Sequence, residues 1–320
     1  MRFFGKTSID FMGKRRIWYA VSATVIGLGI LSLIVKGVNY GIDFLGGTEI
    51  VVRFQNNVEV GDIRTAMDKA GFTKAEIKTF GSDRDMLIRT PDQGEGNVVG
   101  DRIRSGLQAQ FPANPFIVQK EDKIGPKIGA ELRRDAIYAV LASLVAILLY
   151  LGFRFKFLWA AGAVTALFHD VLLTLGLVSI FDGLIPHLNL EFNQTMVAAF
   201  LTLVGLSNND TVVIFDRIRE NLRVGPRFTF DQIVNLSTVQ TMARSLNTSL
   251  TVVFVLLALV LFGGASIQGF VLALLIGIIT GTYSSIFNAS TLLVAWNKAR
   301  PEKTAGRPQR GVVARPVRAS

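Results

Sequence analysis

Residues 136–181 read AIYAVLASLVAILLYLGFRFKFLWAAGAVTALFHDVLLTLGLVSIF. Two apolar runs, Ala136–Phe153 and Phe157–Phe181, are separated only by Arg154, Phe155 and Lys156. Each is long enough to cross the hydrocarbon core of a bilayer, which takes roughly 17–25 residues. A connection this short and basic can only turn the chain back, so the runs form an antiparallel pair. Working outward, four more runs of this kind appear: Ile17–Val35, Thr195–Phe215, Ser245–Gly264 and Gly269–Trp296. The expected class is an α-helical membrane bundle of six transmembrane helices. The first run is too long for the apolar core of a cleaved signal. Lys36-Gly37-Val38 also lacks a small-residue cleavage pattern, so a retained anchor is expected.

Lys and Arg set the orientation. The N-terminal segment 1–16 carries Arg2, Lys6, Lys14, Arg15 and Arg16. Arg154 and Lys156 follow the second run. The segment 216–244, read as a cytoplasmic loop with an amphipathic stretch, carries Arg217, Arg219, Arg223, Arg227 and Arg244. The tail 297–320 carries Lys298, Arg300, Lys303, Arg307, Arg310, Arg315 and Arg318. With six spans these four segments share one side. The opposite short loops, Asp182–Gln194 and Ala265–Gln268, hold no Lys or Arg. Both termini are therefore expected in the cytoplasm and residues 36–135 outside it. From Pro301 onward the tail has no apolar period and should be disordered. It reads as a topology determinant that touches anionic membrane lipid, with a ribosome contact as the alternative.

Composition narrows the chemistry. Half the residues are hydrophobic and 18% are charged, too apolar for an ordinary soluble domain. The absence of cysteine excludes disulfides, thiolate metal sites and a cysteine nucleophile. His169 and His187 are too few for an imidazole-rich metal centre. The net charge of +10 suggests nucleic acid only until its distribution is considered. Residues 36–135 carry 15 Lys+Arg and 15 Asp+Glu, and the excess flanks the apolar runs and fills the tail. That distribution argues against nucleic-acid binding. No nucleophile–base or metal constellation points to an enzyme.

The outer segment alternates strand and helix patterns. Thr48–Phe54 alternates as a strand, and Val60–Ala70 has helical spacing. Glu76–Phe80 and Asp85–Thr90 read as strands around a turn at Gly81-Ser82-Asp83. Val98–Phe111 is helical and Pro115–Lys120 closes as a strand. The order β-α-β-β-α-β is the split, ferredoxin-like arrangement, giving an α+β extracytoplasmic domain suited to docking protein. Two glycine-rich segments join it to the membrane. Gly41-Ile42-Asp43-Phe44-Leu45-Gly46-Gly47-Thr48 reads as a tight turn feeding a strand. In Ile124-Gly125-Pro126-Lys127-Ile128-Gly129-Ala130-Glu131-Leu132, Gly-Pro punctuates and a helix can start behind it.

Polar residues inside the spans are costly and so are candidate sites. Ser207-Asn208-Asn209-Asp210-Thr211 goes more than once around a helix and must be enclosed by protein or wetted. The asparagines can equally be packing bonds between helices. On the next span Arg244, Asn247, Thr248 and Thr251 form one stripe at a depth that matches Asp210. Arg244 can instead be a snorkelling residue that sets topology. Asp170 beside His169 can relay protons or be a satisfied pair in the helix interface. Asp216, Arg217, Arg219 and Glu220 read as interfacial. Gly277 and Gly281 read as a packing face.

Four segments in this order resemble the SecD/SecF family of export proteins. G-I-D-F-L-G-G-T and I-G-P-K-I-G-A-E-L resemble its two signatures, anchored on Gly41, Asp43, Phe44, Gly46, Gly47, Gly125, Pro126 and Gly129. S-I-D-F-M-G-K-R-R before the first span and N-N-D-T-V-V-I-F-D-R-I-R-E-N at 208–221 look like the SecF side, as does the small outer domain. The resemblance covers about 7–297 and leaves the tail unmatched. It implies a half-transporter of the resistance-nodulation-division type in the bacterial inner membrane. Such a half pairs with SecD, associates with the SecYEG channel, YajC and YidC, and acts on unfolded exported protein. The implied driving agent is the proton gradient, with no cofactor and no metal. Asp210 and Arg244 match the Asp and Arg of the family's proton path, with Asn209, Thr248 and Asp170 as further candidates along it. Efflux of a small or lipidic substrate and a passive scaffold are the alternatives.

Overall fold

The computed structural model describes residues 10–92, 94, 97–184, 190–223 and 228–299. His187, Arg2, Lys6, Arg227 and the tail from Arg300 lie outside the described residues. Among the described residues, six helical segments are long and apolar enough to cross a membrane, and the chain is a multi-pass membrane protein. They are α1 (Arg15–Lys36), α5 (Pro126–Arg154), α6 (Phe157–Phe181), α7 (Gln194–Arg223), α8 (Phe230–Phe262) and a last span. That span joins α9 (Ala265–Ser284), a π-helical stretch Ser285–Ala289 and α10 (Ser290–Ala299).

Glycines set the closest helix crossings. Gly29 of α1 and Gly176 of α6 face each other. A Cβ on Gly29 would stand 2.4 Å from the Gly176 Cα, so only a pair without side chains allows this approach. The Gly277/Gly281 pair of α9 presses on α7, where a Cβ on Gly277 would meet the Leu203 side chain at 2.9 Å and one on Gly281 the Ser207 Cβ at 3.1 Å.

Among the described residues, the 216–244 segment is mostly helix rather than loop. Helix α7 runs on to Arg223 and α8 already starts at Phe230. Thr229 and Gln232 form a reciprocal capping box that starts α8 there. Ile233, Val234 and Met242 of α8 pack with Ile214, Phe215 and Ile218 of α7 and with Trp159 and Phe155. Arg217, Arg219 and Arg223 lie on this helical extension of α7, where Arg217 donates to Gln240 at 2.6 Å and Arg154 to Asp216 at 2.9 Å.

The segment between α1 and α5, expected outside the membrane, holds β1 (Gly47–Phe54), α3 (Val60–Lys69), β2 (Glu76–Thr79), β3 (Asp85–Thr90), α4 (Val98–Gln110) and β4 (Phe116–Ile124). β4 runs four residues past the expected Lys120, because Lys120–Ile124 keep pairing with Gly47–Val51 after a bulge at Val51/Val52. The strands form one antiparallel sheet in the order β2-β3-β1-β4. One face buries Ile50, Val52, Phe54, Met86 and Ile88 against Ile63 and Met67 of α3 and Ile103 and Leu107 of α4. The other face carries Glu49, Val51, Leu87 and Arg89, also buried, and rests on the chain between α6 and α7. Helix α5 begins at Pro126, so the last ten residues assigned to the outer segment from sequence already belong to a membrane helix.

Candidate functional site

The glycine-rich segment after α1 is not a plain turn. Ile42–Leu45 form α2, a single helical turn between Gly41 and Gly46. The chain just before it pairs with the approach to α7: Gly41 N donates to Phe192 O at 3.0 Å and Phe192 N to Asn39 O at 2.7 Å. Tyr40 meets Phe44 and Phe192 edge to face around this bridge, and Phe44 and Phe192 pack at a tilt. Asp43 then reaches the start of α7, where its Oδ2 accepts from Gln194 N at 2.8 Å. Asn193 Oδ1 accepts from Met196 N at 2.9 Å. Two side chains therefore satisfy amides of the first turn, which have no partner within the helix.

The two glycine signatures seat on one another. Gly46, at φ +77°, lies against Pro126, whose Cα would stand 2.9 Å from an added Cβ. A Cβ on Gly129 would come within 3.1 Å of Gly46 N and 3.2 Å of the Phe44 carbonyl carbon. Gly47, at φ +127°, has the Thr90 carbonyl oxygen where its Cβ would be, at 2.4 Å. Nothing in the structure requires glycine at Gly125, since a Cβ there meets open space. Asp43→Ala should loosen the first turn of α7 by about 1 kcal/mol, the usual worth of a cap, and Asp43→Asn should keep most of it. Hydrogen exchange at Gln194–Val197 checks this: protection should fall in the Ala variant only, and equal protection in both would remove the capping role.

A buried ion cluster fastens the sheet to the same connection. Arg89 donates to Glu49 at 2.7 Å, to Glu76 at 3.1 Å and to Glu191. Lys78 reaches Glu191 at 3.3 Å and Glu76 at 2.7 Å. Arg89, Glu49 and Glu191 are each about 95% buried. Burial works against the Arg89 charge, but Glu191 and Glu49 outweigh it and hold its pKa above the ordinary value. Burial likewise works against a charged Glu76, and Lys78 and Arg89 more than offset it, so Glu76 sits below the usual carboxylate range.

Within the membrane, Asp210 is buried and lines a cavity of about 60 Å³ with Ser207, Asn209, Thr248, Ser249 and Thr282. That space is enough for water, which needs roughly 10–15 Å³ by the same kind of measure. Asn208 Oδ1 is buried with no hydrogen-bond partner among the described residues, and the Ser245 and Ser249 hydroxyls lie beside the Asp210 carboxylate. Arg244 lies within electrostatic reach of Asp210, yet no salt bridge joins them. Its residue is exposed, as are Asn209, Asn247, Thr248 and Thr251. The threonine hydroxyls bond back to their own helix, Thr248 to Arg244 O at 3.0 Å and Thr251 to Thr248 O at 2.7 Å. Asp170 lies one helix away from Asp210, buried and bonded to Ser207 and His169. Ser207, His169 and Asn288 join the site only through tertiary contacts. The polar run 207–211 and the adjacency of His169 and Asp170 are visible in sequence, whereas Asn288 is an ordinary polar residue in an apolar run.

Comparison with known proteins agrees with this architecture. Residues 103–299 match the family described as protein export membrane protein SecD/SecF, C-terminal, and residues 31–58 match the SecD/SecF GG motif. The chain is 42% identical to the protein translocase subunit SecF of Rhodothermus marinus, covering 92% of this chain and 95% of that one. It is 39% identical to the SecF subunit of Pseudomonas aeruginosa, covering 91% and 92% respectively. Among solved structures it resembles SecDF of Thermus thermophilus, described as a translocon-associated membrane protein, with a TM-score of 0.82 and 37% identity. That match covers 93% of this chain and 40% of the longer SecDF chain. The outer sheet, the paired glycine segments and the six spans thus coincide with one lineage along nearly the whole described chain, and the chain belongs to the SecD/SecF family of protein export membrane proteins, on its SecF side.

Proposed function

We propose that this chain is the SecF half of an export motor in the bacterial inner membrane, where it pairs with SecD and uses the proton gradient to help draw unfolded protein outward. One observation carries the pairing. Arg244, Asn247 and Asn209 stand exposed at membrane depth with no hydrogen bond or ion pair to their side chains among the described residues. Hydrocarbon is a poor neighbour for such groups, and polar side chains within spans face a bundle interior or a wet cavity. A second membrane half that covers this stripe meets that need. The exposed match to a SecDF chain more than twice as long supports SecD as that half. SecYEG, YajC and YidC are the further partners expected of such a motor.

Asp210 is the coupling group in this reading, with Arg244, Asn209, Thr248 and Asp170 along the path. Its cavity is far smaller than the roughly 300 Å³ or more of a small-molecule site, which favours protons and water over an effluxed substrate. With Arg244 turned outward, no ion pair reaches Asp210 among the described residues, and an enclosed carboxylate without one favours holding a proton. With Arg244 swung in, the charge pair can form and the proton can leave. Each proton brings about 2.3 kcal/mol for each 100 mV of potential. The chain acts as a transport subunit without cofactor or metal. We also assign the outer domain to the ferredoxin-like class, supported by its element order and the β2-β3-β1-β4 antiparallel sheet.

The reading is tested by export into membrane vesicles depleted of both halves. Restoring this chain with SecD should return the uncoupler-sensitive part of export, and either half alone should not. The orientation is tested separately. Cysteines introduced singly at Ser82 and Ser320 should label from opposite sides of intact cells, with Ser82 outside. Labelling of both from outside would overturn the proposed topology.

A further inference from the structure

A second titratable centre lies behind Asp210. Asp170 on α6 is 1% exposed and takes two contacts: Ser207 Oγ donates to its Oδ2 at 2.5 Å, and His169 Nδ1 lies 3.0 Å from its Oδ1. On the far side of the ring, Asn288 Nδ2 stands 3.2 Å from His169 Nε2 and also donates to Ser22 Oγ of α1 at 2.9 Å. An amide N–H facing Nε2 makes that nitrogen the acceptor, which leaves the ring proton at Nδ1, directed at Asp170. Asn288 sits in the π-helical stretch Ser285–Ala289, the kind of local widening that often marks a functional site within a helix. The elements around the pair present few other polar groups. The last span adds Tyr283 and Ser284, the latter 3.3 Å from His169 Nδ1, and α7 adds Asp210 one turn beyond Ser207.

Ser207 is the link. Its hydroxyl holds Asp170, and the same residue lines the cavity of Asp210. We propose that Asp170 is a second proton carrier that exchanges with Asp210 through Ser207, with His169 as the positioning residue that aims its ring N–H at the Asp170 carboxylate. The step balances. An O–H bond breaks at Asp210, a cavity water and then the Ser207 hydroxyl each take one proton and give up one, and an O–H bond forms at Asp170 Oδ2. This rests on the reading of Asp210 as the coupling group, and adds a place for the proton to go on the α6 side.

Infrared difference spectroscopy of the full chain paired with SecD in lipid, stepped from about pH 8 to about pH 5, tests it. A carbonyl band of a newly protonated buried carboxyl group should appear, and Asp170→Asn should remove it. Ser207→Ala should delay that band at least tenfold without displacing Asp170, and His169→Gln should shift its frequency. A merely structural Asp170 would leave the difference spectrum of Asp170→Asn the same as that of the unmodified chain, apart from any Asp210 band that Asp210→Asn removes, and that outcome overturns the proposal, as does a Ser207→Ala variant with unchanged kinetics. Export separates the two readings. If Asp210→Asn keeps full uncoupler-sensitive export, the motor reading fails. If that variant is inactive while Asp170 stays spectroscopically silent, only the second carrier fails.

Discussion

Asp210→Asn is expected to abolish the gradient-dependent part of export while the chain stays folded and paired. The substitution is nearly isosteric and keeps hydrogen-bonding capacity toward the cavity lined by Ser207, Thr248 and Ser249. It removes only the ability to bind and release a proton. Among the described residues Asp210 makes no salt bridge in the packing of the bundle, so a broken structural ion pair does not account for the loss. Arg244→Lys keeps a charge but loses the planar fork, and partial loss is expected. Asp210→Asn combined with Arg244→Gln removes both charges. A passive scaffold would tolerate that change, whereas a motor would not. Export into membrane vesicles is compared with and without an uncoupler. Full, uncoupler-sensitive export by the single Asp210→Asn variant would show that coupling lies elsewhere.

The spans were legible because length and apolarity are properties of a segment alone. The outer domain was legible for a related reason: Ile50, Val52 and Phe54 alternate on β1, and Ile63, Ala66 and Met67 recur at helical spacing on α3, so each element announces which face it buries. The helix ends are less legible where basic residues ride on helices. Arg217, Arg219 and Arg223 mark the edge of the membrane in sequence, yet α7 continues through them to Arg223 while Ile214, Phe215 and Ile218 pack inward. The candidate site was legible only in its costs. A buried aspartate and a polar stripe stand out against hydrocarbon. Their partners do not, because Ser207 meets Asp170 across 37 positions and Asn288 meets His169 across 119. Asp43 shows the same limit. Its place in a glycine-rich signature suggested a turn, and its bond to the α7 amide at Gln194 spans 151 positions.

Arg89→Met should loosen the seat of the outer domain by about 3–5 kcal/mol, the cost of stranding buried charges when one partner is removed. Arg89 is the only cation with bonds to all three of Glu49, Glu76 and Glu191 among the described residues. Lys120 still reaches Glu49 at 3.4 Å, and Lys78 still reaches Glu191 at 3.3 Å, but both lysines are partly exposed and neither can replace a fork held between strands. The pH dependence should change sign. In the unmodified chain Glu76 lies below its ordinary value, and so does Asp85, chiefly because Arg53 donates to both its oxygens at 2.6 and 2.8 Å. Groups depressed in this way add stability above the unfolded carboxylate range, near about pH 4. That stability is lost as pH falls through the lower folded values. In Arg89→Met the stranded carboxylates cost most when charged, so mild acid should restore part of the lost protection. Hydrogen exchange at β1 and β3 in the full chain, corrected for intrinsic exchange, reads both effects. Adding Glu49→Gln and Glu191→Gln to Arg89→Met should recover much of the protection, since a site without net buried charge has little to strand. Wild-type protection in Arg89→Met would mean that the cluster behaves as solvated surface charge worth about 0–1 kcal/mol, and that the sheet is held to the α6–α7 connection by apolar packing and the Gly41–Phe192 bridge alone.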